Sequence, residues 1–152
     1  MSAGLAQRGL GRSAMHERTL DQLLEDATSW AEAQADVVGL ALVGSHARGG
    51  ARDDSDVDLV LLTNDPTRYF GDTQWIARFG VVERQHVEHW GKVTSIRVWY
   101  AGGLEVEFGI ATPDWAALPI GDGTQRVVAG GFKVLLDRSG ALSVLVRAAV
   151  RG

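Results

Sequence analysis

Runs of apolar residues alternate along the chain with segments in which apolar residues recur every three or four positions. The recurring spacing is typical of an amphipathic helix and occurs between positions 20 and 31 and between positions 142 and 149. Short runs rich in β-branched and aromatic residues predict six strands, at Val37–Val43, Val57–Leu62, Val81–Trp90, Val93–Tyr100, Leu104–Ile110 and Phe132–Leu136. Because helices and strands are interleaved, we expect a layered α+β domain with a mixed sheet.

The ends of two helices carry polar residues that can cap them. Thr19 and Gln22 have the spacing of a capping box, which predicts the start of the first long helix. Asp72 has the position of an N-cap for a short helix that follows it. Positions 1–13 show no periodicity and are predicted to form a flexible tail, with a single domain over positions 14–152.

Composition excludes several classes of protein. The 152 residues include no cysteine, which excludes a disulfide framework, a cysteine zinc site and a thiol nucleophile. The net charge of −4 argues against a nucleic-acid partner, because nucleic-acid binding relies on neutralising phosphates. No apolar stretch approaches the ~20 residues that span a bilayer, and the first residues lack the apolar region of a secretory signal. We therefore expect a cytoplasmic protein that does not bind membranes.

The two strands before and after the turn that follows Tyr100 can pair in two registers. A two-residue turn would place two glutamates on the apolar face, whereas a three-residue turn pairs Tyr100 with Leu104 and Arg97 with Glu107. The second register keeps the apolar side chains on one face and collects Arg97, Glu105 and Glu107 on the other. Because a slip of one residue moves every side chain to the opposite face, the apolar pattern favours the three-residue turn.

A glycine-rich segment between the first two predicted strands carries the strongest chemical signal. Gly44 ends the first strand, where a glycine permits a tight turn and close approach of the backbone. Ser45 follows at a predicted helix start, where free N–H groups favour phosphate. Asp56 and Asp58 alternate at the start of the second strand, so both carboxylates lie on one face, ~6–7 Å apart at Cα. Carboxylates combined with substrate phosphates bind Mg²⁺, which predicts a nucleotide and magnesium site.

This segment resembles the signature of a known enzyme superfamily. The pattern Gly44-Ser45-x10-Asp56-x-Asp58 resembles that of the DNA polymerase beta-like nucleotidyltransferases. Within that superfamily, the form Gly-Ser-x-Ala-Arg-Gly…Ser-Asp-x-Asp-Leu is similar to minimal nucleotidyltransferases and to antibiotic adenylyltransferases. The resemblance implies the α+β nucleotidyltransferase fold, with helices packed mainly on one face of a mixed sheet. It also implies two Mg²⁺ ions, a nucleoside triphosphate donor such as ATP, and an acceptor hydroxyl.

The resemblance also implies a role for each acidic residue. Asp56 and Asp58 would hold both metal ions, and a third carboxylate on a neighbouring strand would complete the second metal site and accept the proton of the hydroxyl. Glu107 in Val-Glu-Phe is the favoured third acid, with Glu105 as the alternative, although the family more often has Asp there. A simple cross-strand ion pair with Arg97 is the structural alternative for Glu107. Residues expected to bind the nucleotide phosphates are Gly44, Ser45, Arg48 and Ser55.

Two functions follow from this resemblance. The first is Mg²⁺-dependent transfer of AMP from ATP to a hydroxyl of a small molecule, such as an aminoglycoside-like compound. The alternative is a minimal nucleotidyltransferase that acts as an antitoxin and adenylylates a partner protein, a HEPN-type toxin. The Glu-Val-Glu-Phe-Gly sequence of the fifth strand resembles the adenylyltransferases. A binding module with an inactive site is disfavoured by the complete set of acids.

Aromatic residues divide into two groups in the sequence. Trp75, Trp90 and Trp99 lie in predicted helices and strands, where they are expected to pack against other side chains rather than to stack on a nucleotide base. Trp115 and Tyr69 lie in predicted loops and are candidate walls of a ligand site.

Overall fold

A six-stranded mixed sheet forms the centre of the protein. The computed structural model describes residues 12–50 and 56–151, and side chains over residues 20–50 and 56–150. The strands lie in the order β3-β4-β5-β2-β1-β6, and β2 and β5 are the one parallel pair among the described strands. Their bounds are β1 Val37–Val43, β2 Val57–Thr63, β3 Val82–Trp90, β4 Val93–Tyr100, β5 Glu105–Ala111 and β6 Phe132–Asp137. All six predicted strands are confirmed, with ends that differ by at most one residue.

Helices flank this sheet. The α-helices are α1 Arg12–Glu32, α2 Ser45–Arg48, α3 Thr67–Phe70, α4 Asp122–Ala129 and α5 Ala141–Arg151, and two 3₁₀ helices span Gln74–Phe79 and Pro113–Ala116. The predicted capping box at Thr19 is wrong, because α1 begins at Arg12 and Thr19 lies inside it. Residues 1–11 of the predicted tail over residues 1–13 lie outside the described residues. The predicted cap at Asp72 is displaced by one residue, because the N-cap of the first 3₁₀ helix is Thr73. The Oδ1 of Asp72 nevertheless accepts a hydrogen bond of 3.0 Å from the backbone of Gln74.

The first face of the sheet packs against α1. Its apolar stripe buries Leu23, Ala27 and Trp30 against side chains that alternate along β2, β4 and β5. Trp30 stacks on Trp75 of the first 3₁₀ helix, with ring centroids 4.8 Å apart. Each fully buried large apolar side chain contributes about 1.5–3 kcal/mol to folding. This face therefore anchors the strands that carry the predicted acids.

The second face is covered over only part of its area. Leu142 and Leu145 of α5 are at most 1 % exposed and pack with Val60 and Leu62 of β2 and with Trp115. Whereas the resemblance implies helices mainly on one face, the apolar stripe of α5 brings a helix to this face as well. The expected α+β class and mixed sheet are confirmed. None of the described helices is both long enough and apolar enough to cross a bilayer.

The hairpin between β4 and β5 has the three-residue turn. Tyr100 donates a backbone hydrogen bond of 2.8 Å to Leu104, and Arg97 lies opposite Glu107. Gly102 and Gly103 in the turn both have a φ of +95°, which is accessible to glycine without a steric penalty. The predicted register is confirmed. The apolar side chains of both strands therefore lie on the first face of the sheet, towards α1, and Glu105 and Glu107 lie on the second face.

Candidate active site

The turn that follows β1 comes into close contact with β2. Gly44 has a φ of +79°, and a Cβ atom placed on it would lie 2.8 Å from Oδ2 of Asp58. The Gly44 N–H donates a hydrogen bond of 3.1 Å to the carbonyl of Gly131, which holds the turn after β1 against the residue that precedes β6. A side chain at position 44 would therefore displace the Asp58 carboxylate, which explains the glycine expected there.

Carboxylates from two parallel strands lie side by side on the second face of the sheet. In the register of β2 and β5, Asp58 lies next to Glu107, and the two carboxyl groups share a hydrogen bond. Asp56 precedes Asp58 by two residues, and Glu105 precedes Glu107 by two, so all four side chains point to the same face. These four residues, Asp56, Asp58, Glu105 and Glu107, are called the acid cluster below.

Asp58 is the most perturbed acid of the cluster. Burial raises the pKa of its carboxyl, and the nearby carboxylates of Glu107 and Asp56 raise it further, to about 7. The positive charge of Arg97 acts in the opposite direction but does not outweigh them. Both causes disfavour the ionised form of Asp58. Near neutral pH the carboxyl therefore carries its proton for much of the time.

Arg97 is the positive group within the acid cluster. Its Nη1 donates a hydrogen bond of 2.8 Å to Oδ2 of Asp56 and another to Glu105, and its Nη2 lies 3.3 Å from Oε1 of Glu107. Burial lowers the pKa of Arg97, but the hydrogen bonds to Glu105 and Asp56 raise it more, so the guanidinium remains charged. The structural alternative of a simple pair between Arg97 and Glu107 is thus incomplete, because the same guanidinium contacts three carboxylates.

The acid cluster has the donor atoms that a divalent cation prefers. Within the described ranges, no three His, Cys, Asp or Glu side chains are close enough together to hold a metal ion as placed. Arg97 instead contacts three of the four carboxylates and compensates their charge. Hard carboxylate oxygens suit Mg²⁺, and a cation beside Asp58 would relieve the repulsion that raises its pKa. The chemistry of the donor set therefore fits Mg²⁺.

The residues expected to bind phosphate lie at the turn after β1. Ser45 begins α2 and directly follows Gly44, whose backbone lies against Asp58. Arg48 ends α2 and donates a hydrogen bond of 3.0 Å to the carbonyl of Gly130, in the connection between α4 and β6. Ser55 lies outside the described residues. Gly44 and Ser45 are thus brought together with the acids, and Arg48 contacts a neighbouring loop.

A cavity of about 840 Å³ lies next to the acid cluster on the second face of the sheet. Asp58, Glu107 and Trp115 all line it. The expectation that Trp115 walls a ligand site is therefore compatible with its position. Trp90 also lines the cavity and is 61 % exposed, so it packs less closely than predicted. Pockets of this size accommodate drug-sized molecules.

Three other aromatic predictions are resolved by contacts. Tyr69 is wrong as a ligand wall, because it is buried and its hydroxyl donates a hydrogen bond of 2.6 Å to Asp36. Trp75 packs between α1 and the first face of the sheet, as predicted. Trp99 also packs as predicted, under the guanidinium of Arg84, which lies 4.0 Å from its ring centroid.

Several cavity residues were not identified from the sequence. Ser95 faces the cavity because it precedes Arg97 by two positions on β4 and therefore lies on the same face. That alternation was a usable signal. Lys92 and Asp114 form an ion pair of 3.5 Å at the cavity edge, and 22 residues separate them in the chain. No local pattern indicates such a contact.

Comparison with known proteins gives one family match. The family model described as nucleotidyltransferase domain matches residues 22–101, which is more than half of the chain. The matched range includes Gly44, Asp56, Asp58 and Arg97. It ends before Glu105 and Glu107, so the choice of the third acid depends on the geometry of β5. No curated protein matches the sequence.

Solved structures give more distant similarities. The chain is similar to an aminoglycoside 6-adenyltransferase from Bacillus subtilis, with 14 % identity over 57 % of this chain and 32 % of that one, and a TM-score of 0.46. It is also similar to a chain of the GLD-2/RNP-8 complex, with 23 % identity over 64 % of this chain and 41 % of that one, and a TM-score of 0.42. The chain thus spans about a third to two fifths of the length of these two proteins.

Proposed function

Because the chain belongs to the nucleotidyltransferase domain family, we propose that it transfers AMP from ATP to a hydroxyl group of a small molecule. The reaction depends on Mg²⁺ and takes place in the cytoplasm, where ATP is available. The observation that carries the proposal is the acid cluster, in which Asp58 and Glu107 lie side by side next to the turn at Gly44 and Ser45.

Each acid has a proposed role. Asp56 and Asp58 would hold two Mg²⁺ ions, and Glu107 would complete the second site, with Glu105 in a supporting position at the level of Asp56. Bound Mg²⁺ supplies stabilisation of negative charge on the attacking and leaving oxygens. The raised pKa of Asp58 supports this assignment. The Asp58 carboxylate lies among other negative charges, which a bound cation would compensate, whereas a single surface carboxylate has no such neighbours.

Residues of the chain also orient the reacting groups. Gly44, Ser45, Arg48 and Ser55 bind the β- and γ-phosphates, which leaves the α-phosphorus beside the acids. The close approach of Gly44 to Asp58, with Ser45 as the next residue, supports this orientation. Arg97 neutralises the carboxylates in the free protein through its contacts with Asp56, Glu105 and Glu107.

The transfer itself is one displacement. The acceptor hydroxyl gives its proton to the Glu107 carboxylate, and its oxygen forms a bond to the α-phosphorus of ATP. The bond from the α-phosphorus to the oxygen bridging to the β-phosphate breaks, and pyrophosphate leaves. Glu107 lines the cavity end at which an acceptor would meet the nucleotide, which supports its role as the base.

The test is incubation of the protein and Mg²⁺ with α-labelled nucleoside triphosphates, each tried separately, together with an extract of host cells. The extract is used in three forms: whole, as its small-molecule fraction, and as that fraction with an aminoglycoside added. We expect label from ATP in a small molecule, and none with Asp56→Asn, for which Asp26→Asn on the exposed side of α1 is the matched control. Label in a protein band would favour the antitoxin alternative with a HEPN-type partner, and the absence of any label would contradict both.

A further inference from the structure

The cavity beside the acid cluster is bounded by two parts of the chain. Its floor is the second face of β2, β4 and β5, where Val60, Ser95 and Gly109 lie. Its roof is the segment from Asp114 to Val127, which includes Trp115. Asp58 and Glu107 close one end. A molecule in this cavity therefore presents one end to the acids and lies with its body between the sheet and the roof.

Apolar side chains dominate the body of the cavity. Val60, Val93, Trp115 and Val127 line it, and Trp115 is only 5 % exposed. Two large apolar side chains at the cavity, Trp90 and Leu118, are 61 % and 52 % exposed. Exposed apolar residues grouped at one cavity indicate a binding surface, whereas scattered ones are ordinary.

The charged side chains of the cavity outside the acid cluster compensate one another. Lys92 pairs with Asp114 at 3.5 Å, and both side chains are more than half exposed. The Thr124 hydroxyl donates a hydrogen bond of 2.8 Å to the carbonyl of Trp115. A polycationic molecule needs several carboxylates that are free to pair with it. Apart from Asp58 and Glu107, the lining residues that the structure describes include one further carboxylate, that of Asp114, and it already has a partner.

One buried hydroxyl is available to a ligand. Ser95 is 7 % exposed and lines the cavity, and its hydroxyl has no hydrogen-bond partner among residues 12–50 and 56–151. A buried hydroxyl is stabilised when it gains a partner. Ser95 therefore offers a polar contact to a ligand that otherwise packs against the apolar side chains of the cavity.

From these observations we infer that the cavity binds the acceptor, and that the acceptor has a neutral and mainly apolar or aromatic body. The inference rests on the proposed function and specifies its substrate class. The acceptor hydroxyl lies at Glu107, loses its proton to that carboxylate, and bonds to the α-phosphorus as pyrophosphate leaves. A polar atom of the body accepts from or donates to Ser95. Trp90 and Leu118 cover the part of the molecule nearest solvent.

The experiment measures binding without any turnover. Three sets of hydroxyl compounds are tested by calorimetry and ligand-observed NMR: neutral aromatic compounds such as 2-naphthol, neutral polar sugars such as glucose, and polycations such as kanamycin. Wild type is compared with Trp90→Ala and Leu118→Ala. Both residues are more than half exposed, so neither substitution removes core packing. Val150→Ala, which is 81 % exposed on α5 and does not line the cavity, is the matched control.

We expect the neutral aromatic set to bind best, with an affinity that falls about tenfold in Trp90→Ala and Leu118→Ala and stays unchanged in Val150→Ala. Stronger binding of kanamycin or glucose, no binding by the aromatic set, or binding that is insensitive to both substitutions would overturn the inference. In the separate labelled-ATP reaction, transfer of AMP to a polycation would overturn the inference while leaving the proposed function intact. Binding of the aromatic set, combined with no transfer to any acceptor in that reaction, would instead contradict the proposed function.

Discussion

Replacement of Asp58 by Asn should stabilise the metal-free protein at high pH. Burial and the neighbouring Glu107 and Asp56 raise the pKa of Asp58 to about 7 from its ordinary value of 3.8. Below about pH 4 both the folded and the unfolded chain carry the proton. As the pH rises toward 7, the unfolded chain releases it while the folded chain keeps it, so the free energy of unfolding decreases. An Asn side chain does not ionise and avoids that loss.

The size of the effect follows from the two pKa values. Each pH unit between them corresponds to about 1.36 kcal/mol, which gives an upper value of about 4 kcal/mol for full ionisation. Asp58 is partly exposed, and water screens its interactions with the other acids. We therefore expect the stability of Asp58→Asn relative to wild type to increase by about 1–2 kcal/mol between pH 5 and pH 8.

The assay is urea unfolding followed by circular dichroism, with EDTA present, at pH 5 and pH 8. Asp26→Asn is the matched control, because Asp26 is exposed on α1 and does not belong to the acid cluster. Its difference from wild type should be the same at both pH values. If Asp58→Asn gains no stability relative to wild type when the pH is raised, ionisation of Asp58 does not destabilise the folded protein.

Three further outcomes follow from the site and its scaffold. Glu107→Gln should abolish transfer and leave ATP binding largely in place. Glu105→Gln should lower the transfer activity by no more than about tenfold, which corresponds to ~1.4 kcal/mol of barrier. The opposite pattern in a transfer assay would reject Glu107 as the third acid. Mg²⁺ and ATP together should raise the melting temperature by more than the sum of their separate shifts, because each completes the binding of the other, and a merely additive shift would count against it. Burial raises the pKa of Asp137, but hydrogen bonds from Ser143 and from the backbone of Leu142 outweigh it and hold the pKa below its usual value. Asp137→Ala should therefore lower the free energy of unfolding by about 1–2 kcal/mol near neutral pH, and by less below about pH 4. Urea unfolding at both pH values tests this, and a difference that does not change with pH would disprove it.

The strands and the hairpin register could be predicted because their physical cause is local. Alternating apolar side chains allow one register for β4 and β5, and the contact between Tyr100 and Leu104 has that register. The same alternation places Asp56 and Asp58 on one face. A pattern with period two therefore predicts which side chains share a face, and here it is sufficient to bring Arg97 opposite Glu107.

Other features could not be predicted because they depend on contacts distant in sequence. Arg97 reaches Asp56 across 41 residues, and no spacing rule connects them. The strand pattern predicts packing for Trp90, but β3 is an edge strand whose side chains are mostly exposed. The cavity exists because the segment that includes Trp115 returns over the second face of the sheet. Its chemistry appears only once both walls are in place.

Catalysis of nucleotidyl transfer by the acid cluster can be tested with parallel reactions of ATP labelled at the α-phosphate and at the γ-phosphate, with Mg²⁺ and the small-molecule fraction of a host extract. We expect the α-label to enter the acceptor and the γ-label to appear in pyrophosphate, and both signals to disappear in Asp56→Asn. Transfer of the γ-label to the acceptor, or its release as orthophosphate while the α-label stays in a free nucleotide, would show that the acid cluster does not catalyse nucleotidyl transfer.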